Sequence, residues 1–519
     1  MPWSEESHFN FGGGIYRSTS AIDIKFPNNA VFDALNMVYG QESDNPQTMY
    51  GASRIGSTDM GGDVSGLFDY NNGTMLLASS EDGKFYNYTG GDWAAEGGAR
   101  ASSNSTTAGV RWSGAMFYGG TSSGNLLVLA NDDDGDDPAK YEGTEVTALE
   151  PGSGSIPTNG KYPVVWQARI WLFDGSIAYY SVVDNCEDWT LGNGGGNIAV
   201  AKGNDGDITG AAAFANNLFI FKRSSIYRIP PTGSFSSEAV VRNVSNNVGC
   251  ISHHTIAEDE NGLIFESEHG FERITPSVTS AGFTVNNISR WVKPIVDRKN
   301  TTHMKKAWGL YNLDRSEYLG YFPTAASSVP TQGLLCNLSG GRKQRWTRMD
   351  KSGLTAGTVF VENNTDYIQY VGDENGRVYK MHDSSVYTWD GAAMSSRLVT
   401  KYYTQGRPNH MKRYGHAYLN VEVNDTNYLV TARLNLRREG LPAGGDNSAS
   451  LSDISGSQGW GAGEWGVSLW GGSGTASTRT RPPSSSRGTG MQVTLDSTRW
   501  FRPSGIVISS KMLGDKIAA

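Results

Sequence analysis

Residues 208–229 read Ile-Thr-Gly-Ala-Ala-Ala-Phe-Ala-Asn-Asn-Leu-Phe-Ile-Phe-Lys-Arg-Ser-Ser-Ile-Tyr-Arg-Ile. The small apolar stretch 211–215 and the apolar run 218–221 predict two strands. Asn216-Asn217 joins them, because this pair tolerates the positive φ angles of a tight hairpin turn. After a second turn, residues 226–229 predict a third strand. An antiparallel meander of three or four such strands is one blade of a β-propeller.

Similar hairpins recur between residues 64 and 390. Each places a polar residue and a glycine between two apolar segments, which favours turns whose twist matches that of the flanking strands. The copies are Glu81-Asp-Gly83, Asp174-Gly175, Glu260-Asn-Gly262, Glu268-His-Gly270 and Glu374-Asn-Gly376. Grouped into meanders, they recur about every 40–50 residues, the spacing of propeller repeats. We predict six or seven blades, with candidates at 64–93, 110–149, 162–189, 208–232, 250–276, 303–348 and 354–390.

Tryptophan ends several of these units. Trp93, Trp189, Trp346 and Trp389 occupy such positions. A large ring at the end of a blade fills the space between neighbouring sheets. We therefore expect these four side chains to be buried between blades.

The composition is that of an all-β protein. The 519 residues include 65 Gly, 24 Tyr, 18 Phe and 14 Trp, and only 18% are charged. Aromatic side chains suit pleated sheets and glycine suits tight turns. Three cysteines, Cys186, Cys250 and Cys336, show neither a disulfide framework nor metal spacing, which predicts assembly in a reducing cytoplasm. No signal peptide and no membrane-spanning apolar run is visible, so we expect no membrane span.

Charge is unevenly distributed along the chain. The net charge is −8 overall. Residues 395–519 carry +7 and residues 1–394 carry −15. An acidic body disfavours tight binding of nucleic acid, since phosphate contacts need Lys and Arg. The basic C-terminal part could face an acidic neighbour, or it could simply be a solvated surface.

The sequence pattern changes after Gly391. Alternating segments at 396–403, 417–423 and 428–436 predict a β-sandwich, with closing strands within 490–508. We divide the chain into an N-terminal extended arm or closing segment (1–62), a β-propeller (63–394) and a C-terminal β-sandwich (395–519) with a Gly/Trp/Ser-rich insertion (440–489). In the N-terminal segment, residues 27–36 predict a short helical turn capped by Asn28 or Asn29.

Three tryptophans stand out in the insertion. Trp460, Trp465 and Trp470 are five residues apart, and each lies beside a glycine. Large aromatic side chains are costly to leave in water. They are therefore our interaction candidates, either docking on a neighbouring protein or folding back on their own domain.

No group of residues predicts catalysis. Gly120-Thr-Ser-Ser-Gly124 resembles a nucleophile elbow, but a strand-like segment follows it instead of a helix. The acidic run 131–137 offers oxygen ligands for Ca²⁺ without the spacing of a calcium loop. His253-His254, on a strand, would point to opposite faces and could not easily share a metal. We predict no catalytic residue, no cofactor and no metal.

Four groups of segments follow one another in a set order. They are Phe11-Gly-Gly-Gly-Ile15 with Pro27-Asn-Asn-Ala30, Asn36 and Arg54-Ile-Gly56; Tyr180-Ser181 with Cys186-Glu-Asp-Trp189, Asp207-Ile-Thr-Gly210 and Ser225-Ile-Tyr-Arg-Ile229; Gly249-Cys-Ile-Ser-His-His-Thr255 with Gly262-Leu-Ile-Phe265; and Asp373-Glu-Asn-Gly-Arg-Val-Tyr379 with Lys401. This order resembles the propeller-bearing tail nozzle and packaged-DNA stabilisation proteins of short-tailed bacteriophages.

The resemblance implies a structural protein of the virion tail, assembled in the host bacterial cytoplasm and not an enzyme. Copies of the chain would form a ring, expected to be a hexamer, around the DNA exit channel. The ring would contact neighbouring adaptor and fibre proteins, retain the packaged genome and open for ejection. Double-stranded DNA would pass transiently without specific binding.

Two other functions stay open at the level of sequence. A propeller module at the tail tip or baseplate could bind host surface glycan or tail fibres, with the Trp460–Trp470 segment as its contact. A propeller glycosidase would need paired carboxylates, which the sequence neither identifies nor excludes.

Overall fold

The computed structural model describes residues 2–40, 43–96, 110–118, 124–132, 137–149, 152–201, 203, 205–232, 235, 240–277, 282–339, 344–363, 365–384, 386–423, 430–437, 448–451, 475–480 and 487–517. The protein is a seven-bladed β-propeller joined to a β-sandwich. Among these residues the helices are short turns, at Leu191–Asn193, His253–Thr255, Arg290–Val292, Lys293–Val296 and Thr301–Lys306. None of these helices is long or apolar enough to cross a lipid bilayer.

Each blade is a four-stranded antiparallel meander, with its first strand innermost. Blade 1 contains Val64–Tyr70, Met75–Ser80, Phe85–Thr89 and Asp92–Ala95; blade 2 contains Trp112–Phe117, Leu126–Asn131, Ala139–Tyr141 and Val146–Ala148. Blade 3 contains Lys161–Trp166, Arg169–Asp174, Ile177–Tyr180 and Gly196–Ala199; blade 4 contains Ile208–Phe214, Asn217–Lys222, Ile226–Ile229 and Arg242–Ser245. Blade 5 contains Ala257–Asp259, Gly262–Ser267, Gly270–Pro276 and Phe283–Asn287; blade 6 contains Trp308–Asn312, Glu317–Phe322, Gln332–Asn337 and Arg345–Met349.

Blade 7 closes the ring with strands from both ends of the propeller sequence. Its first three strands are Leu354–Glu362, Asp366–Asp373 and Val378–Asp383, and its fourth is the N-terminal strand Gly51–Ile55. The short strands Thr388–Trp389 and Ala392–Ala393 extend the same sheet. The innermost strand of blade 7 packs against that of blade 1, so the sheets form a closed circle.

Glycines let neighbouring blades approach closely near the axis. A Cβ added to Gly66 in blade 1 would lie 3.0 Å from the carbonyl oxygen of Trp112 in blade 2. One added to Gly114 in blade 2 would lie 2.8 Å from the ring of Phe68 in blade 1. A Cβ added to Gly210 in blade 4 would lie 2.9 Å from the side chain of Ile256, just before blade 5. Close packing of the innermost strands therefore excludes larger residues at these positions.

The sandwich consists of two sheets and is continuous with blade 6. One sheet contains Ser4–His8, Phe501–Ile517, His410–Val423, Thr475–Thr480 and Arg487–Gly488; the other contains Asp33–Leu35, Ser396–Tyr403, Gly490–Ser497, Thr431–Arg437 and Ser448–Leu451. The second sheet joins blade 6 because Asp33–Leu35 pairs with Ser396–Tyr403 on one side and with the outermost strand of blade 6 on the other. Within 440–489, the stretches 448–451, 475–480 and 487–488 are thus strands of the sandwich.

The N-terminal segment joins all these parts. After Ser4–His8 and Asp33–Leu35 come the hairpin strands Met37–Tyr39 and Pro46–Thr48, and then the strand Gly51–Ile55 of blade 7. Residues 27–36 contain a turn and a strand, so the predicted helical turn is wrong. Backbone pairing with the distant residues Arg397–Val399 determines this conformation, because sheet pairing outweighs the local preference for a helical turn.

The predicted hairpins and blade-end tryptophans are confirmed, with one shift of register. All five polar-glycine hairpins connect consecutive antiparallel strands. Trp93, Trp189, Trp346 and Trp389 are buried in hydrophobic clusters that span neighbouring sheets. In blade 4 the positive φ angles fall on Ala215 (46°) and Asn216 (57°), one residue earlier than predicted. Asn217 instead pairs with Phe214 as the first residue of its strand.

Candidate functional site

The tryptophans predicted to mediate interactions lie outside the described residues. Trp460, Trp465 and Trp470 belong to the segment 452–474, which joins the strand Ser448–Leu451 of one sandwich sheet to the strand Thr475–Thr480 of the other. Their role stays a prediction. The described residues offer three other features that bear on function: a polar cluster at the propeller axis, a basic groove and an exposed aromatic pair.

A polar cluster connects blades across the propeller axis. Arg111, at the start of blade 2, donates hydrogen bonds to the carbonyl oxygens of Lys306 and Ala307 before blade 6, both at 3.0 Å. It donates another to the carbonyl oxygen of Thr355 in blade 7, at 2.9 Å. Ser252, before blade 5, donates to the same Ala307 oxygen at 2.8 Å. We name this group, together with Asp132, His253 and His254, the axial cluster.

Histidines complete the axial cluster from the side of blade 5. Nε2 of His254 lies 2.9 Å from a carboxylate oxygen of Asp132, which follows the second strand of blade 2. The ring of His253 lies 4.7 Å from that of Tyr162 in blade 3. Its Nδ1 accepts a hydrogen bond from the backbone N–H of Ala211 in blade 4, at 3.4 Å. Blades 2 to 7 therefore all contribute to the cluster.

The predicted geometry of the two histidines is wrong. His253–Thr255 is a 3₁₀ turn, not part of a strand, and the two rings lie 5.7 Å apart. The turn brings both side chains to the axis, where Asp132 and Tyr162 engage them. Among the described residues, no group of three or more His, Cys, Asp and Glu side chains is arranged to hold a metal ion.

Burial controls ionisation in the axial cluster. Burial lowers the pKa of Arg111 to about 10 and that of His253 to about 3. Burial also lowers the pKa of His254, and neighbouring Arg111 contributes in the same direction. For Asp132, burial acts to raise the pKa, but contacts with His254 and Arg111 outweigh it and hold the pKa below its usual value. The hydrogen-bonded His254 and Asp132, the neighbouring His253 and the Arg111 charge thus form a compact structural network.

The acidic run 131–137 is only partly described. Asn131 ends the second strand of blade 2, Asp132 belongs to the axial cluster, and residues 133–136 lie outside the described part. The elbow-like residues 120–123 are likewise outside it. The strand expected after them is confirmed as Leu126–Asn131.

A basic groove lies on the face of the sandwich sheet that continues blade 6. Arg17, Arg397 and Arg433 line it together with Phe32 and Val399 and enclose a volume of about 470 Å³. Two aspartates lie among these arginines. Asp33 accepts from Arg348 at 2.6 and 2.7 Å and lies 3.2 Å from Arg17. Asp496 lies 3.4 Å from Arg433 and 3.9 Å from Arg397. Arg17, Arg397, Arg433 and Asp33 give the lining a net charge of +2, and the neighbouring Arg348 and Asp496 leave that balance unchanged.

Two exposed aromatic rings lie on the outer surface of the other sandwich sheet. Trp3 is 52% exposed and Phe9 is 54% exposed, at the two ends of the strand Ser4–His8. Both rings lie over glycines. A Cβ on Gly415 would lie 2.7 Å from Trp3, and one on Gly505 would lie 2.5 Å from Phe9. The glycines thus let the rings lie close to the sheet while leaving their outer faces in solvent.

Neither the axial cluster nor the groove was identified from the sequence. Arg111 and Asp132 are 21 positions apart in the sequence, and their partners lie beyond residue 250. The sequence does contain one pattern that is linked to the axial cluster. A Ser or Thr precedes glycine at Ser65-Gly66, Ser113-Gly114 and Thr209-Gly210, in the innermost strands of three blades. That repeat marks the residues that surround the axis.

The comparisons with known proteins give distant structural neighbours. No protein-family model matches the chain, and no curated protein matches it. The extracellular domain of the one-component system BT4673 from B. thetaiotaomicron aligns at 10% identity and a TM-score of 0.41, covering 64% of this chain and 39% of that one. Chaetomium thermophilum Raptor aligns at 12% identity and a TM-score of 0.42, covering 64% and 29%. The Neurospora crassa Pan2 WD40 domain aligns at 7% identity and a TM-score of 0.37, covering 62% and 90%. The chain therefore spans less than two fifths of the first neighbour's length and less than a third of Raptor's.

Proposed function

We propose that this chain is a structural component of a bacteriophage tail, the nozzle ring that closes the DNA exit channel and opens for ejection. The observation that carries the proposal is the route of the N-terminal segment. It supplies one strand to each sandwich sheet and the last strand to blade 7. A propeller and a sandwich tied together in this way behave as one rigid part, as a ring that must withstand the pressure of a packaged genome requires.

Two further features support a mechanical role. The axial cluster joins blades across the propeller axis, so DNA would pass between copies of the chain and not through a single propeller. The propeller segment carries most of the negative charge, and an acidic wall lets DNA slide because it offers few phosphate contacts. The order of the sequence segments described above points to the same family of tail proteins.

Electron microscopy of the recombinant full-length chain tests the proposal. We expect closed rings with an acidic lumen wide enough for a DNA duplex. Cryo-electron microscopy of a phage whose genome encodes the chain should place the ring at the distal end of the tail channel. Particles in which the chain is absent, or lies only at the tip of fibres, would contradict a nozzle role.

The exposed aromatic pair favours a second candidate, an adhesion module at the tail tip or baseplate. Exposed aromatic rings on a flat, rigid sheet are suited to a ligand with an apolar face, such as a glycan. Glycan-array binding by the wild-type chain, lost in Trp3→Ala/Phe9→Ala, would support this candidate. The variant Trp460→Ala/Trp465→Ala/Trp470→Ala tests the predicted contact segment in the same assay.

A further inference from the structure

The geometry points to a contact between copies of this chain, in which the basic groove of one copy receives the acidic outer edge of blades 2 and 3 of the next. The inference rests on the proposed tail function, since it names the surfaces through which the ring would form. Its evidence is the position and charge of the two surfaces and the apolar side chains that each presents.

The two surfaces lie on opposite sides of the propeller ring. The innermost strands follow one another around the ring in the order of blades 1 to 7, with the turn His253–Thr255 between blades 4 and 5, and blade 7 returns to blade 1. Two blades, 1 and 7, therefore separate blade 2 from blade 6 on one side of the ring. Two others, 4 and 5, separate blade 3 from blade 6 on the other side. The sandwich continues outward from the outer strand of blade 6 through Asp33–Leu35. The sandwich, which holds the groove, is thus attached on the side of the ring that faces away from blades 2 and 3.

Carboxylates crowd the outer edge of blades 2 and 3, which we name the acidic edge. In the described part of this edge they are Glu142, Glu145, Asp184, Glu187 and Asp188. The nearby cations are Lys140, which lies 2.6 Å from both Glu142 and Glu187, and Arg169, which donates to the carbonyl oxygens of Ser181 and Gly194. These charges leave a net −3.

Apolar side chains protrude from the same edge. Leu191 is 79% exposed and Val183 is 45% exposed. Such large exposed aliphatic side chains next to charged residues are typical of protein–protein contacts. Leu191 opens a 3₁₀ turn, where nothing in the described part of the chain covers it.

The acidic edge complements the basic groove in charge, and both surfaces present apolar side chains. The groove carries +2 and has Phe32 and Val399 in its lining, so it offers apolar surface for Leu191 and guanidinium groups for the surrounding carboxylates. Arg397 and Arg433 keep 39% and 47% of their side chains exposed and available to a partner. Oppositely charged surfaces steer association and select the register of contact. Because the two surfaces differ, the contact is head-to-tail, the type that generates rings or filaments.

Charge reversal in the full-length chain tests the contact by mass photometry and sedimentation velocity. The groove variant is Arg397→Glu/Arg433→Glu, and the edge variant is Glu145→Arg/Leu191→Arg. We expect the wild type to assemble and each variant to need a roughly ten- to hundred-fold higher concentration to do so, since like charges then face each other. A chain that carries all four changes, or an equimolar mixture of the two variants, should assemble again.

A control matched to the groove variant makes the same change of charge elsewhere. Lys84→Glu/Arg223→Glu reverses two cations with 49% and 69% exposed side chains, in blades 1 and 4, and should assemble like the wild type. Assembly of both reversal variants at the wild-type concentration would overturn the contact while leaving a ring by other surfaces intact. A third outcome is that assembly is lost in the reversal variants and restored by combining them, but the assemblies are open filaments that do not occur in phage tails. This outcome would uphold the contact and refute the nozzle role. A wild type that stays monomeric at every concentration would overturn the contact.

Discussion

Arg111 shows how one side chain joins distant parts of the ring. Its three hydrogen bonds reach carbonyl oxygens near blades 6 and 7, and its own carbonyl oxygen accepts from the backbone N–H of Asp132. Arg111→Leu would remove a donor from each of those carbonyl oxygens, of which that of Ala307 keeps Ser252, and would remove the positive charge near Asp132. We expect a loss of about 2–4 kcal/mol, because buried groups that lose a charged partner retain their desolvation penalty.

Chemical denaturation followed by tryptophan fluorescence measures this effect. The control is Arg223→Leu, since Arg223 is 69% exposed and forms a surface ion pair with Glu268. A surface pair contributes about 0–1 kcal/mol, so the control midpoint should barely move. Equal midpoints for the two variants would show that the axial cluster does not stabilise the ring.

Buried histidines predict a loss of stability in mild acid. Burial lowers the pKa of His8 to about 4, with a further contribution from Lys401, and lowers that of His253 to about 3. In the unfolded chain both titrate near 6.5, so between pH ~6.5 and ~4 the unfolded state binds more protons than the folded state. Stability should be full above this window and fall with pH inside it, by about 1.4 kcal/mol per pH unit for each histidine.

Melting temperatures measured from pH 8 to pH 4 test this prediction. His8→Gln removes one titrating group and keeps a polar side chain near Tyr403, which lies 3.0 Å from His8. We expect a shallower acid slope for this variant. His269→Gln, at an exposed position, is the matched control. A wild-type profile that is flat between pH 6.5 and 4 would contradict the assignment of neutral buried histidines.

At the scale of the element, the strand that closes the propeller ring fits against blade 7 because its first residue is a glycine. Gly51 begins the strand that completes blade 7, and a Cβ there would overlap the carbonyl oxygen of Thr388. Gly51→Ala should therefore displace the closing strand and cost about 2–4 kcal/mol, since backbone cannot move aside as a flexible side chain can.

Proteolysis and thermal melting report on this closure. Gly40→Ala is the matched control, because the nearest atom to its added Cβ is 3.9 Å away on the side chain of Gln47. Cleavage around residues 51–62 should become faster only in Gly51→Ala. Wild-type protection in Gly51→Ala would show that the closing strand tolerates the displacement.

The elements themselves were largely readable from the sequence, whereas their long-range partners were not. Hairpins such as Glu374-Asn-Gly376 depend on turn chemistry within a few residues, and the alternation at 396–403 fixes a strand by its own pattern. The strand Asp33–Leu35 has only three residues, and its pairing with Arg397–Val399 and Arg348 leaves no local signal. The axial cluster depends in the same way on contacts such as Asp132 with His254, 122 positions apart.

At the scale of the whole molecule, the continuous sheet is what unites the propeller and the sandwich. Nine strands run from the innermost strand of blade 6, Trp308–Asn312, to Ser448–Leu451 in the sandwich, with Asp33–Leu35 in the middle. The largest hydrophobic core follows the same course, since it includes Tyr318 and Trp346 of blade 6 together with Leu398 and Val493 of the sandwich. Relative motion of the two parts would break both the sheet and this core.

This continuity predicts that the two parts unfold together. Ala34 is fully buried and pairs with Leu398, so Ala34→Pro removes a donor from the middle of the nine-stranded sheet and forces the strands apart. Calorimetry of the wild type should show one transition, and that of Ala34→Pro should show two, as propeller and sandwich separate. Glu5→Pro is the control, because it falls in an edge strand, where proline is tolerated, and should keep a single transition. Two separate transitions in the wild type would mean that the sheet does not couple the parts, and the rigid body on which the nozzle proposal rests would be lost.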